Sequence, residues 1–169
     1  MPRVLDVGCG PASIADVQID IHLYENMKKY TYIVQDAMME DWKVDDESFT
    51  EVRMEMFLEH CPVIVKEYTP SWQWITHYPR IHCMKEAYRA LKHGGILKVS
   101  VPGAFETHSQ DPTHDGPQIT EGFFNYFCGE WGGGEPGSFT NDSYGIDFKF
   151  KKLSAVNDGF ALTMTLQKG

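Results

Sequence analysis

The chain has 169 residues, enough for one domain with a continuous core. Its 42 % hydrophobic and 23 % charged residues are ordinary for a globular protein. A formal charge of −9 with no basic run argues against a nucleic-acid partner, and no apolar run approaches the roughly 20 residues of a membrane span.

No signal-peptide pattern opens the chain. Cys9, Cys61, Cys83 and Cys128 form no CxxC pair, so they are expected as reduced thiols of a cytoplasmic protein. In chain order, residues 3–7 read as a strand running into Gly8-Cys9-Gly10, a glycine turn. Residues 17–21 and 30–35 are further short strands, and 48–57 a fourth. Residues 61–79 fit no neat element; their prolines, tryptophans and tyrosines suggest a cleft lining. Residues 83–91 read as the end of an amphipathic helix, with Met84, Ala87, Tyr88 and Leu91 at helical spacing. Lys92-His93-Gly94-Gly95 is a stop signal, a basic last turn followed by glycine. Residues 96–101 form a buried strand, and the glycine-rich stretch 129–145 reads as a mobile loop. Residues 147–153 and 160–166 alternate around Asn157-Asp158-Gly159, a hairpin signal. Strands separated by helices early and a hairpin late predict an α/β fold. The expected sheet is Rossmann-like and mostly parallel with an antiparallel C-terminal hairpin, in a single domain over 1–169.

The chemistry gathers at strand ends. In Val4-Leu5-Asp6-Val7-Gly8-Cys9-Gly10 the glycines let a ligand approach the backbone with no Cβ in the way. A ligand of an open α/β sheet sits at the carboxyl ends of its strands. Asp6 precedes the glycines there and can accept from an ammonium group. Asp20 ends the second strand, where a carboxylate accepts ribose hydroxyls. Asp36 ends the third, within reach of an adenine amino group. Each alone is also an ordinary surface aspartate; three in series on one edge are a pattern.

These stretches resemble the class I S-adenosylmethionine-dependent methyltransferases, of the type-11 subgroup. The first stretch is similar to their glycine motif, Asp20 to their ribose-binding acid and Asp36-Ala37 to their adenine-side motif. Residues 49–60, ending in Leu58-Glu59-His60, resemble their fourth-strand segment. Residues 86–97 resemble their helix, glycine turn and fifth strand, with His93 where proline is usual. Asp111-Pro112-Thr113-His114 occurs in a subset of them. The likeness covers residues 3–128. It implies S-adenosylmethionine as cofactor, held by Asp6, Gly8, Cys9, Gly10, Asp20, Ile21, Asp36, Ala37 and Glu55. It implies a small-molecule methyl acceptor, with a sugar or lipid-linked intermediate among the candidates.

On the acceptor side, Glu59, His60 and His114 are the candidate catalytic residues, histidine having the intrinsic pKa of a base near neutrality. The bland alternatives are a loop-orienting role for His60 and, for His114, packing against residues 123–127. His108, Asp111, His114 and Asp115 also permit a cation, but they match no zinc spacing, and an ordinary polar loop without metal is the expectation. Trp72, Trp74, Tyr78, Phe105, Phe123, Phe124, Tyr126 and Trp131 are read either as lids or as core.

Two departures stand out. Between Gly10 and Asp20 there is no room for the usual crossover helix, which removes a helix N-terminus from the methionine end. No helix precedes the first strand either, leaving one sheet face under-covered and suggesting self-association through it. A catalytically silent binding or scaffold protein is therefore the alternative to an enzyme.

Overall fold

The computed structural model describes residues 3–24, 30–129 and 144–169. Its centre is a seven-stranded sheet. The strands are β1 (Val4–Val7), β2 (Val17–Asp20), β3 (Thr31–Val34), β4 (Phe49–Glu55), β7 (Leu91–Pro102), β8 (Phe150–Asn157) and β9 (Ala161–Lys168). They lie in the order β3-β2-β1-β4-β7-β9-β8. The first five are parallel, and β9 joins β7 antiparallel and pairs β8 as a hairpin. The α/β, mostly parallel sheet with an antiparallel C-terminal hairpin is thus the architecture found.

Register separates the two faces of the sheet. Leu5 stands beside Val17 and Val52, and Leu97 beside Val52 and Leu166. These positions alternate with polar ones, so one face is continuously apolar. Helices α1 (Pro79–Ala90) and α3 (Glu121–Cys128) cover that face, and a short α2 (Phe105–Ser109) lies between them in the chain. Cys83, Met84, Ala87 and Ala90 of α1 and Phe124 and Phe127 of α3 join its core. The opposite face carries Asp6, Gln18, Glu51, Arg53 and Lys98. Glu51 there pairs with Arg53 at 2.5 Å and with Lys98 at 3.0 Å. Although burial pushes Glu51 upward, these two cations outweigh it and hold its carboxyl below its usual range. The link 8–16 closes over part of this face, where the Gln18 amide donates to the carbonyls of Ser13 and Ala15. That link holds one 3-10 turn, Gly10–Ala12, in place of a crossover helix, as its length requires. The face expected to mediate self-association is therefore charged, whereas stable homodimer interfaces are apolar at their centre.

Three expectations need correction. Residues 61–79 contain a two-stranded antiparallel hairpin, β5 (Val65–Tyr68) and β6 (Trp74–His77), and α1 starts directly after it at Pro79, a residue suited to a first helical turn. The basic-glycine segment 92–95 does not end the helix. Leu91 caps α1 in an extended conformation and already pairs with Phe49, whereas Ile96 pairs with Glu51. Residues 92–95 are an excursion within β7, turned by Gly94 at φ +75°. The terminal strands start later than alternation suggested, because Ile146 and Phe148 enter the core from irregular backbone before β8 begins. The Asp158 carboxylate then accepts from the amides of Phe160 and Ala161 and shapes the hairpin turn. Most of the glycine-rich stretch, with Trp131, lies outside the described residues. No described helix is long and apolar enough to cross a membrane.

Candidate active site

The chain reverses direction across the sheet at β1, going out to β2 and β3 on one side and to β4 and β7 on the other. Such a switch point opens a crevice at the carboxyl ends of the strands. A cavity of about 460 Å³ lies there, lined by Gly8 and Gly10 after β1, by Asp20, Ile21, His22 and Tyr24 at and after β2, by Gln35, Asp36, Ala37 and Met38 after β3, and by Met56, Phe57 and His60 after β4. Thr113 closes it from the loop beyond β7.

Gly8 sits at φ +66°, and a Cβ built on it would meet the Phe57 ring at 2.2 Å. Glycine is therefore required here twice, by conformation and by space. Asp20 is buried, with one carboxylate oxygen accepting from the Gly10 amide at 2.9 Å and the other from the His22 amide at 3.0 Å. A carboxylate has about four acceptor sites, so each oxygen keeps a lone pair for a ligand hydroxyl. Asp36 accepts from the Met38 amide at 3.0 Å, and its carbonyl accepts from the amides of Met39 and Glu40. The loop behind it is fixed by Trp42, whose amide donates to Glu86 at 2.7 Å and whose indole donates to the Ala37 carbonyl at 2.9 Å. Met56 holds φ +50°, a conformation rare outside glycine, at the end of β4 and on the cavity wall. Backbone strain of this kind concentrates at functional sites.

Of the nine residues expected to hold cofactor, six line the cavity: Gly8, Gly10, Asp20, Ile21, Asp36 and Ala37. Asp6, Cys9 and Glu55 are not on its wall. Asp6 points to the polar face, where burial raises its carboxyl against a Ser13 hydrogen bond that lowers it. Burial, then the charges of Asp6 and Asp20, push the Cys9 thiol up to about 12, which favours the protonated thiol at neutral pH. Glu55 is exposed at the end of β4.

At the edge of the cavity beyond β4, Glu59 and His60 lie in a 3-10 turn, Leu58–His60. The loop carrying His114 folds over it, the Asp115 amide donating to the Glu59 carbonyl at 3.0 Å. Arg80, at the start of α1, clamps the two together. It is buried, and it donates to the carbonyls of Cys61 at 3.0 Å, Pro117 at 3.2 Å and Asp115. The His114 ring lies between those of His60, 4.8 Å away, and His108, 5.0 Å away. Burial raises Glu59, 1 % exposed, to about 7. Sequence reading missed Arg80, which carries no motif, and missed Met56 and Phe57, which look like ordinary strand residues.

The aromatic residues are not lids over this cavity: none of those described lines it apart from Tyr24 and Phe57. Trp72 and Trp74 project from the β5–β6 hairpin, Phe105 is exposed and Phe124 is core. Tyr78 and Phe123 line a second, apolar cavity of about 310 Å³, which Arg80 also borders.

No family model matches this sequence, and no curated protein matches it. Solved structures do. An S-adenosylmethionine-dependent methyltransferase from Archaeoglobus fulgidus superposes with TM-score 0.57 at 16 % identity, over 99 % of this chain and 86 % of its own. One from Methanosarcina mazei gives 0.58 at 17 %, over 98 % and 92 %. The N-methyltransferase NodS from Bradyrhizobium japonicum, in complex with S-adenosyl-L-homocysteine, gives 0.58 at 11 %, over 99 % and 78 %. The fold is that of the class I S-adenosylmethionine-dependent methyltransferases.

Proposed function

We propose that the chain is a single-domain methyltransferase that binds S-adenosylmethionine in the cavity at the β1–β4 switch point and methylates a small molecule. The observation that carries this is the convergence of Gly8, Asp20 and Asp36, three successive strand ends, on one cavity of cofactor size. In this reading Asp20 accepts the ribose hydroxyls and Asp36 the adenine amino group. Gly8 and Gly10 allow the chain of the methionine moiety to pass against bare backbone. Methyl transfer from a sulfonium depends mainly on alignment of donor and acceptor. His60 stands on the cavity wall where it can orient an acceptor or take its proton. A cytoplasmic setting agrees with four cysteines held as thiols. A sugar or lipid-linked intermediate is the acceptor class proposed.

The test is calorimetric titration with S-adenosylmethionine and S-adenosylhomocysteine. Micromolar binding is expected, weakened at least about tenfold by Asp20→Ala, since two ribose hydrogen bonds to a charged acceptor are lost. Unchanged affinity in that variant removes the ribose assignment. The second reading, a silent scaffold of the same fold, is favoured by the missing crossover helix. Absence of binding at millimolar ligand would put it first.

A further inference from the structure

Glu59, His60 and His114 come together from segments more than fifty residues apart. One carboxylate oxygen and one nitrogen of each imidazole all lie within 4.8 Å of one another. Hydrogen bonding fixes what these groups offer. The Thr113 hydroxyl donates its only proton to Asp111 at 2.6 Å, so it can only accept from His60 Nδ1, 3.0 Å away. The other neighbour of that nitrogen, the Thr113 carbonyl at 3.4 Å, is also an acceptor. His60 therefore carries its proton on Nδ1 and its lone pair on Nε2. His114 repeats the arrangement, with Nδ1 facing the His108 carbonyl at 2.8 Å. Both imidazoles are thus held through Nδ1, which leaves Nε2 of each as the ligating nitrogen; that of His114 also lies 3.6 Å from Asp111 Oδ2. Anchoring the far nitrogen on a carbonyl is how metal-binding histidines are oriented. The third member supplies the charge. Glu59 is 1 % exposed, and its Oε2 has no hydrogen-bond partner. A buried carboxylate oxygen without a partner is costly and needs a reason.

We propose that Glu59, His60 and His114 bind a divalent first-row transition-metal ion. The donor set, two imidazoles and one carboxylate, suits zinc, iron, cobalt or manganese rather than calcium or magnesium. Bonds of about 2.1 Å in tetrahedral geometry place ligand atoms roughly 3.4 Å apart, so side-chain rotation closes the set. His108, stacked on His114 and holding its Nδ1, is a positioning residue. Three protein ligands leave coordination positions open. Because His60 also lines the large cavity, an acceptor oxygen on the ion would lie beside the bound cofactor, a role that rests on the methyltransferase reading.

The experiment strips the full-length protein with chelator and titrates it with Co²⁺, following visible d–d absorption, with S-adenosylhomocysteine calorimetry on the same samples. One equivalent is expected to bind, weakened at least about tenfold by His60→Ala and by His114→Ala, and unaffected by His93→Ala on the exposed part of β7. Glu59→Gln should behave like the histidine variants; should it fail to fold, the two histidine variants decide. No saturable binding up to about 1 mM, or equal binding in His60→Ala and His114→Ala, overturns the site. Homocysteine-ligand binding without cobalt binding defeats the metal inference alone, and the converse defeats the cofactor reading alone.

Discussion

The two ends of the cavity, proposed as its nucleoside end and its acceptor end, are built in opposite ways. The nucleoside end is local. Gly8, Asp20 and Asp36 each sit at the end of their own strand, and the hydrogen bonds of the two carboxylates reach at most ten residues along the chain. The acceptor end is assembled at long range. The turn after β4, the start of α1 and the loop beyond β7 meet where Arg80 binds carbonyls 19, 35 and 37 residues away and the Asp115 amide reaches the Glu59 carbonyl. A local site survives drift in the rest of the fold, whereas an assembled one depends on its fastener.

The comparison breaks most easily at that fastener. Arg80→Ala removes the donor shared by one buried and two part-buried carbonyls and should cost about 2–3 kcal/mol in urea unfolding. Affinity for S-adenosylhomocysteine should then stay within about twofold wherever the variant remains folded. An equal loss at the nucleoside end would show that the two ends are one unit. Next in size, Gly8→Ala should weaken cofactor binding by about tenfold or more, through the Phe57 collision and the positive φ. Adding Phe57→Ala should recover part of that loss but not all, because the backbone strain remains. A calorimetric series over the three variants checks it.

The smallest effect concerns the loop behind Asp36. Burial alone would raise Glu86, but hydrogen bonds from Arg89 and the Trp42 amide outweigh it and hold its carboxyl below its ordinary value. A folded pKa below the unfolded one means stability that is present above the unfolded value, about 4.3, and lost as pH falls through the folded value. Glu86→Gln should therefore cost about 1–2 kcal/mol at neutral pH, and the gap to the parent protein should close below about pH 4. A gap that persists in acid would mean that shape rather than charge anchors the loop.

The same contrast explains what was legible. Gly8, Asp20 and Asp36 were readable because strand, turn and carboxylate follow one another within a few residues, and period-2 apolar runs mark the strands. Glu59, His60 and His114 were readable as polar residues of a resembling motif, but their mutual contact was not, since no local pattern encodes a loop folding back over a turn. Arg80 was invisible because it looks like any helix arginine until three carbonyls surround it. The β5–β6 hairpin was missed because its prolines and aromatics disrupt alternation, and its side chains Tyr68, Trp72 and Trp74 stay exposed. Asp6 lies at the expected place along the chain, but its side chain is off the cavity wall, as odd and even positions of β1 face opposite ways.

The charged ladder of Glu51, Arg53 and Lys98 also bears on how crowded copies of the chain meet one another. A sheet bare on one side invites another sheet to stack on it, and apolar residues at these three positions would make a dry seam between two molecules. Salt-bridged charges resist that stacking, because each must shed its water before the surfaces touch. The described surface of that face is kept wet by these charges.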